Sequence, residues 1–93
     1  MTVVELLKNV VAGCITEPQF FEEFSRLFRG GAPIPDAEGQ CLSELVEDVN
    51  MAEHIGPLFD DRFVWRVEEC LRLLSSGASA QEIRNFFAAN PDR

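Results

Sequence analysis

The side chains best suited to catalysis are His54 and three cysteines, Cys14, Cys41 and Cys70. A cysteine nucleophile needs a nearby base, and His54 is the only histidine in the 93-residue chain. Cys70 falls on an apolar helical stripe and Cys14 at a helix junction, where inert buried thiols are typical. A small cysteine-dependent enzyme therefore stays an alternative, which the reactivity of Cys41 toward thiol reagents would discriminate. We expect no enzymatic activity.

Acid–base, metal and cofactor chemistry are also poorly supported. Asp60-Asp61 and Glu22-Glu23 are adjacent carboxylates, but neighbours on a helix point about 100° apart and suit caps or solvated faces better. The sequence has no glycine-rich phosphate loop and no spacing of three metal ligands. Three widely spaced cysteines suggest neither a disulfide framework nor a zinc site. We predict no catalytic residue, no cofactor and no bound metal.

The strongest signal is the distribution of charge. Sixteen acidic residues against eight basic ones give a formal charge of −8, which repels nucleic acid and anionic membranes and favours a basic protein partner. Half of the acids lie between positions 36 and 61, a stretch without lysine or arginine. A charge run of this kind is either a solvated face or a docking surface.

We interpret the acidic stretch as a docking surface. A helical wheel places Glu44, Glu47 and Asp48 on one side of a predicted helix, opposite its apolar stripe. Met51 and Ile55 fall on the same side, and Met51 is expected to be an exposed apolar anchor. The predicted partner-binding residues are Asp36, Glu38, Glu44, Glu47, Asp48, Met51, Ile55, Asp60 and Asp61.

Five helices are predicted to position these residues. The first carries apolar residues from Val3 and ends at Gly13, and the second begins with a capping box at Thr16 and ends at Gly30. A crossing loop of about ten residues, 30–39, is rich in glycine and proline. The third helix is predicted to begin at Gln40 or Leu42 and to end at position 55.

The last two helices complete the predicted fold. The fourth begins at Asp60 or Asp61, and the fifth is capped by Ser79 and ends before Pro91. Trp65 points away from the stripe of the fourth helix, so either the fifth helix covers it or a partner does. We predict one all-α domain over residues 1–93, a compact antiparallel four-helix bundle with an appended short fifth helix.

No apolar run can span a bilayer and no signal peptide is recognisable, so a cytoplasmic location is expected.

The order of several segments resembles the colicin D type immunity proteins. The segments are Leu7 through Gly13, Ile15-Thr16, the Phe20, Phe24 and Leu27 stripe, a Gly/Pro loop, Leu42-Ser43-Glu44-Leu45 and Met51-Ala52-Glu53. The resemblance covers about residues 3–74 and leaves 75–93 as a C-terminal helical extension. It implies a four-helix bundle that binds a cognate bacteriocin nuclease.

The function implied by this resemblance is inhibition of a transfer-RNA endoribonuclease toxin. The acidic face would occupy the toxin's basic cleft in place of RNA, in a complex expected to be 1:1, with no direct binding of nucleic acid or membrane by the chain itself. The alternative is an acidic helical adaptor or antitoxin-like regulator that holds another basic protein.

Overall fold

The computed structural model describes residues 1–90, and these form five α-helices with no β-strand among them. The helices are α1 (Val3–Ala12), α2 (Glu17–Arg29), α3 (Asp36–Ile55), α4 (Asp61–Ser75) and α5 (Ala80–Ala89). The all-helical class is as predicted. No helix in this part of the chain is both long and apolar enough to cross a membrane. The Pro91 stop and the end of the predicted extension, 91–93, lie outside the described residues.

Local capping signals start most of the helices. Thr16 and Ser79 form the predicted capping boxes with Gln19 and Glu82, and Asp60 caps α4. Thr2 makes a third box with Glu5 that the sequence analysis missed. A side chain that satisfies otherwise unpaired N–H groups stabilises a helix start by about 1 kcal/mol. Gly13, with a φ of 71°, ends α1 in the left-handed conformation, as predicted.

The start of α3 differs from the prediction. The helix begins at Asp36, so the preceding loop spans only 30–35 and Gly39 is helical. Pro35 stands at the N-cap with a φ of −58°, and acids in the first turn interact favourably with the helix dipole. These local signals outweigh the low helix propensity of Gly39. Asp36 and Glu38 are therefore residues of α3 and not of a crossing loop.

One hydrophobic core receives side chains from all five helices. α1 contributes four buried aliphatic residues, and Phe20 of α2 packs edge-on against Phe59 and Phe63 at ring-centroid distances of 5.7 Å. α5 packs most extensively on α3, and its Ile83 and Phe87 are buried. The fifth helix therefore belongs to the core and is not the appendage that the sequence analysis predicted.

Trp65 is partly covered by the fifth helix. Its ring centroid lies 6.2 Å from that of Phe86, and its side chain is half-buried. Phe86 in turn packs edge-on against Phe87 and lies beneath the guanidinium of Arg72 at 5.2 Å. Of the two interpretations of Trp65, cover by α5 agrees with these contacts.

Truncating a core side chain of α5 tests whether this helix is structural. Ile83→Ala is expected to lower the free energy of unfolding by about 2–5 kcal/mol, because it removes buried methyl groups and leaves a cavity. Urea denaturation followed by circular dichroism measures this change. The exposed neighbour provides the control, since Arg84→Ala should shift stability by less than about 0.5 kcal/mol. Similar small effects for both variants would contradict the assignment.

Candidate protein-binding surface

The outward side of α3 carries acids and two exposed apolar residues. Asp36, Glu47 and His54 are exposed along this side, which faces away from the buried Leu45 and Val49. Near the end of the helix, Met51 is 61% exposed and Ile55 is 72% exposed. The expected exposure of Met51 is confirmed. Exposed large apolar side chains among charges are typical of protein contact sites.

Asp48 differs from the other acids of the predicted docking surface because it is paired within the fold. Its carboxylate lies 2.6 Å from Arg62 and 2.9 Å from Arg66, both on α4. The contact with the Arg62 guanidinium is a hydrogen bond, whereas Arg66 Nε contacts Asp48 Oδ2 as an ion pair without hydrogen-bond alignment. Asp48 therefore has a role within the fold that its assignment to a docking surface did not include. Asp48 joins α3 to α4.

Arg66 explains why Asp48 turns toward α4. Only 8% of Arg66 is exposed, and a buried charge needs compensation. Its Nη2 donates to the main-chain carbonyl of Glu44 at 2.6 Å, and its guanidinium lies 4.9 Å from the centre of the Phe87 ring. Sequence reasoning missed this residue. The available signal was its spacing from Cys70 and Leu73, which places Arg66 on the apolar side of α4.

The remaining predicted acids occupy different local environments. The half-buried Glu44 accepts a hydrogen bond from the side-chain amide of Gln40 at 2.6 Å. Asp60 uses Oδ1 to accept the Phe63 N–H at 2.8 Å, and Asp61 follows in the first turn of α4. Asp36 and Glu38 lie in the first turn of α3, so dipole stabilisation explains part of the acidic run. Glu47 is exposed, and within residues 1–90 its carboxylate caps no helix and forms no salt bridge.

A groove lies where α3 ends and α4 begins. It has a volume of about 310 Å³ and joins the exposed Met51 and Ile55 to the buried Leu58 and Phe63. Its remaining wall residues are Asp48, Ala52, Gly56, Pro57, Asp60 and Arg62. The groove therefore combines apolar walls with charged residues at its rim. It brings together four of the predicted site residues, Asp48, Met51, Ile55 and Asp60.

The loop that forms one wall of the groove is held by Glu17 at the start of α2. Glu17 Oε1 accepts the Leu58 N–H and Oε2 accepts the Phe59 N–H, each at 3.0 Å. The Gly56–Pro57 peptide bond in this loop is cis. Sequence reasoning missed Glu17. The two N–H groups that donate to its carboxylate lie more than forty residues away along the chain, so no local sequence pattern indicates this contact.

Two of the three cysteines are core residues. Cys41 and Cys70 are fully buried, whereas Cys14 is exposed. A hydrogen bond with Cys41, together with burial, raises the pKa of the Cys70 thiol far above its ordinary value. Among residues 1–90 no group of three potential ligands is placed to hold a metal ion. This environment does not favour Cys70 as a nucleophile, because the thiolate is the reactive form.

Thiol reactivity distinguishes these environments. At neutral pH, an aromatic disulfide reagent should modify Cys14 rapidly in the native protein, while Cys41 and Cys70 should react only after denaturation. Absorbance of the released thiol gives the number of reactive groups with and without guanidinium chloride. Cys14→Ser serves as the control and should remove the fast phase. Rapid modification of Cys41 in the native protein would instead favour the alternative of a cysteine-dependent enzyme.

Neutralising Asp48 tests the ion pair beneath the surface. Asp48→Asn should lower the free energy of unfolding by about 3 kcal/mol, because it leaves the charge of Arg66 buried without its partner. Urea denaturation measures the loss. Glu47→Gln removes one charge from the exposed side of the same helix and should change stability by less than about 0.5 kcal/mol. Equal effects would show that Asp48 is an ordinary surface acid.

No protein-family model matches the chain, and neither a curated protein nor a solved structure is significantly similar to it. The resemblance to the colicin D type immunity proteins stays a prediction.

Proposed function

We propose that the chain is an immunity protein that binds and inhibits a cognate bacteriocin nuclease of the transfer-RNA endoribonuclease type. In this proposal the acidic side of α3 enters the basic cleft of the nuclease, and the chain itself catalyses nothing. The complex has one copy of each protein and forms in the cytoplasm of the producing cell. The observation that carries the proposal is the concentration of half the acids in residues 36–61, without lysine or arginine.

Carboxylates on a helix suit a cleft that evolved to hold RNA. Such a cleft is lined by lysine and arginine, which form charge-assisted hydrogen bonds with carboxylates as well as with phosphates. Glu47 and Asp36 are exposed on the α3 side that faces away from the core. A rigid helix also presents these groups at lower entropic cost than a flexible RNA loop does.

Opposite charges on the two proteins also make their association fast. A protein of formal charge −8 is attracted to a basic nuclease over long distances, and such steering raises association rates to about 10⁸ M⁻¹s⁻¹ or more at low salt. Rapid capture matters because a free nuclease can cleave many substrates before it is inhibited. An interface of about 800 Å² per partner would cover about 15% of the 5530 Å² accessible surface.

The second candidate function is an acidic adaptor or regulator of another basic protein. It is favoured by the same exposed Met51 and Ile55, since these apolar groups suit any protein partner and do not imitate phosphate. The two functions differ in the partner's activity. Only the first requires the partner to be a nuclease whose cleavage the chain prevents.

The decisive experiment uses a basic nuclease domain encoded beside the gene for this chain. The purified domain is incubated with total transfer RNA, and cleavage is followed on denaturing gels while the chain is added up to stoichiometric amounts. The proposal expects cleavage to stop near a 1:1 ratio. Complete cleavage with excess chain would overturn it, and stable binding without inhibition would favour the adaptor.

Charge reversal tests whether α3 is the inhibitory surface. The Glu44→Lys/Glu47→Lys variant should stay folded and slow association with the nuclease by about tenfold or more at low salt. Glu22→Lys/Glu68→Lys changes the net charge equally on α2 and α4 and is the matched control. Stopped-flow fluorescence measures association, and circular dichroism checks folding. Equal slowing by both variants would show that only net charge matters and that α3 is not the contact surface.

A further inference from the structure

We propose that the groove between Met51, Ile55 and Leu58 receives an apolar side chain from a basic segment of the partner protein. A lysine or arginine beside that apolar side chain then pairs with Asp60 at the rim or with Glu47 one turn before Met51. This inference rests on the proposed function because it assumes a basic protein partner. It adds the chemical pattern that the partner must present, an apolar residue flanked by cations.

The apolar half of the pattern follows from exposure. Met51 and Ile55 are the two most exposed large apolar residues among positions 1–90, and they lie one helical turn apart. Behind them the groove continues to Leu58 and Phe63, which are almost fully buried. A side chain that enters from outside would extend the existing core and remove Met51 and Ile55 from water. Contacts of this kind, ringed by charges, carry most of the energy in protein interfaces.

The basic half of the pattern follows from charge. Asp60 lines the groove and Glu47 is exposed nearby on α3, and no salt bridge formed within residues 1–90 includes either of them. Among residues 1–90, the cationic group that lines the groove is Arg62, and it pairs with Asp48. A cation brought by a partner would therefore meet carboxylates at the rim.

The groove is also formed before any partner arrives. Glu17 holds the loop wall through the Leu58 and Phe59 N–H groups, and Asp60 fixes the start of α4. Phe63 at the base is packed against Phe20 and Phe59. A preorganised site avoids the entropic cost of ordering a loop on binding.

Charge argues against the other possible occupants. A second copy of this chain would bring another net charge of −8 to an already acidic surface, and an anionic lipid surface would be repelled in the same way. A basic protein segment is attracted by the same negative charges that repel a second copy of the chain and an anionic lipid surface. The partner proposed for the groove is therefore a cationic polypeptide.

The test uses two synthetic lysine–alanine peptides that differ only at one central position, which is leucine in one and alanine in the other. Each is titrated into the full chain at low salt and followed by amide NMR. The leucine peptide should bind about tenfold more tightly, a difference of about 1.4 kcal/mol, because its longer apolar side chain is buried in the groove. The largest shifts should fall on amides of residues 51–63.

Variants then assign the leucine effect to the groove. Met51→Ser/Ile55→Ser should abolish the difference between the two peptides, whereas Val11→Ser removes an exposed apolar residue from α1 and should leave the difference intact. Thermal melting checks that both variants are folded. Persistence of the leucine preference in the double variant would overturn the assignment.

The remaining outcomes separate this inference from the proposed function. Equal binding of both peptides overturns the groove proposal while leaving an acidic surface that attracts cations. Binding of neither peptide also overturns it, and the nuclease assay then decides the proposed function by itself. Self-association of the chain that disappears in the Met51→Ser/Ile55→Ser variant would assign the groove to a second copy and not to a basic partner.

Discussion

The buried guanidinium of Arg66 is the constraint on which the arrangement of the helices depends. A charge that is only 8% exposed needs compensating groups within the fold. Asp48 of α3 supplies the opposite charge, the Glu44 carbonyl supplies an acceptor and Phe87 of α5 supplies an aromatic face. Together these contacts join α3, α4 and α5. They act on α3 alongside its buried residues Leu45 and Val49, which lie opposite the solvent-facing Glu47 and Met51.

Much of the local structure was predictable because its causes lie within a few residues. The Thr16 and Ser79 capping boxes, the Asp60 cap and the Gly13 terminus follow from neighbours in the sequence. The predicted start of α3 was wrong because the glycines and prolines of 30–39 indicate a long loop. Pro35 followed by acids also indicates a helix start, and the helix does begin there. Both signals were present in the sequence, and the structure shows which one dominates.

The candidate surface was less predictable, because its pairings connect distant parts of the chain. A helical wheel places Asp48 beside Glu44 and Glu47 but contains no information about the helix that packs alongside, so the Arg66 pair was missed. The same limit applies to the groove. Its wall depends on Glu17, which is separated from Leu58 by the rest of α2 and the whole of α3. The exposure of Met51 was predictable because Met51 lies opposite the apolar stripe of its own helix, which is visible in the sequence.

The two hydrogen bonds between Glu17 and the 56–60 segment also affect where the chain can accept inserted residues. The loop over 30–35 is mostly exposed, and no comparable side-chain clamp on its main-chain N–H groups is present within residues 1–90. Extra residues there would lengthen a surface connection at small entropic cost. The same insertion between Gly56 and Asp60 would pull the Leu58 and Phe59 amides away from their carboxylate. A tag or a fused domain therefore belongs in the first of these two loops, where the α3–α4 corner stays undisturbed.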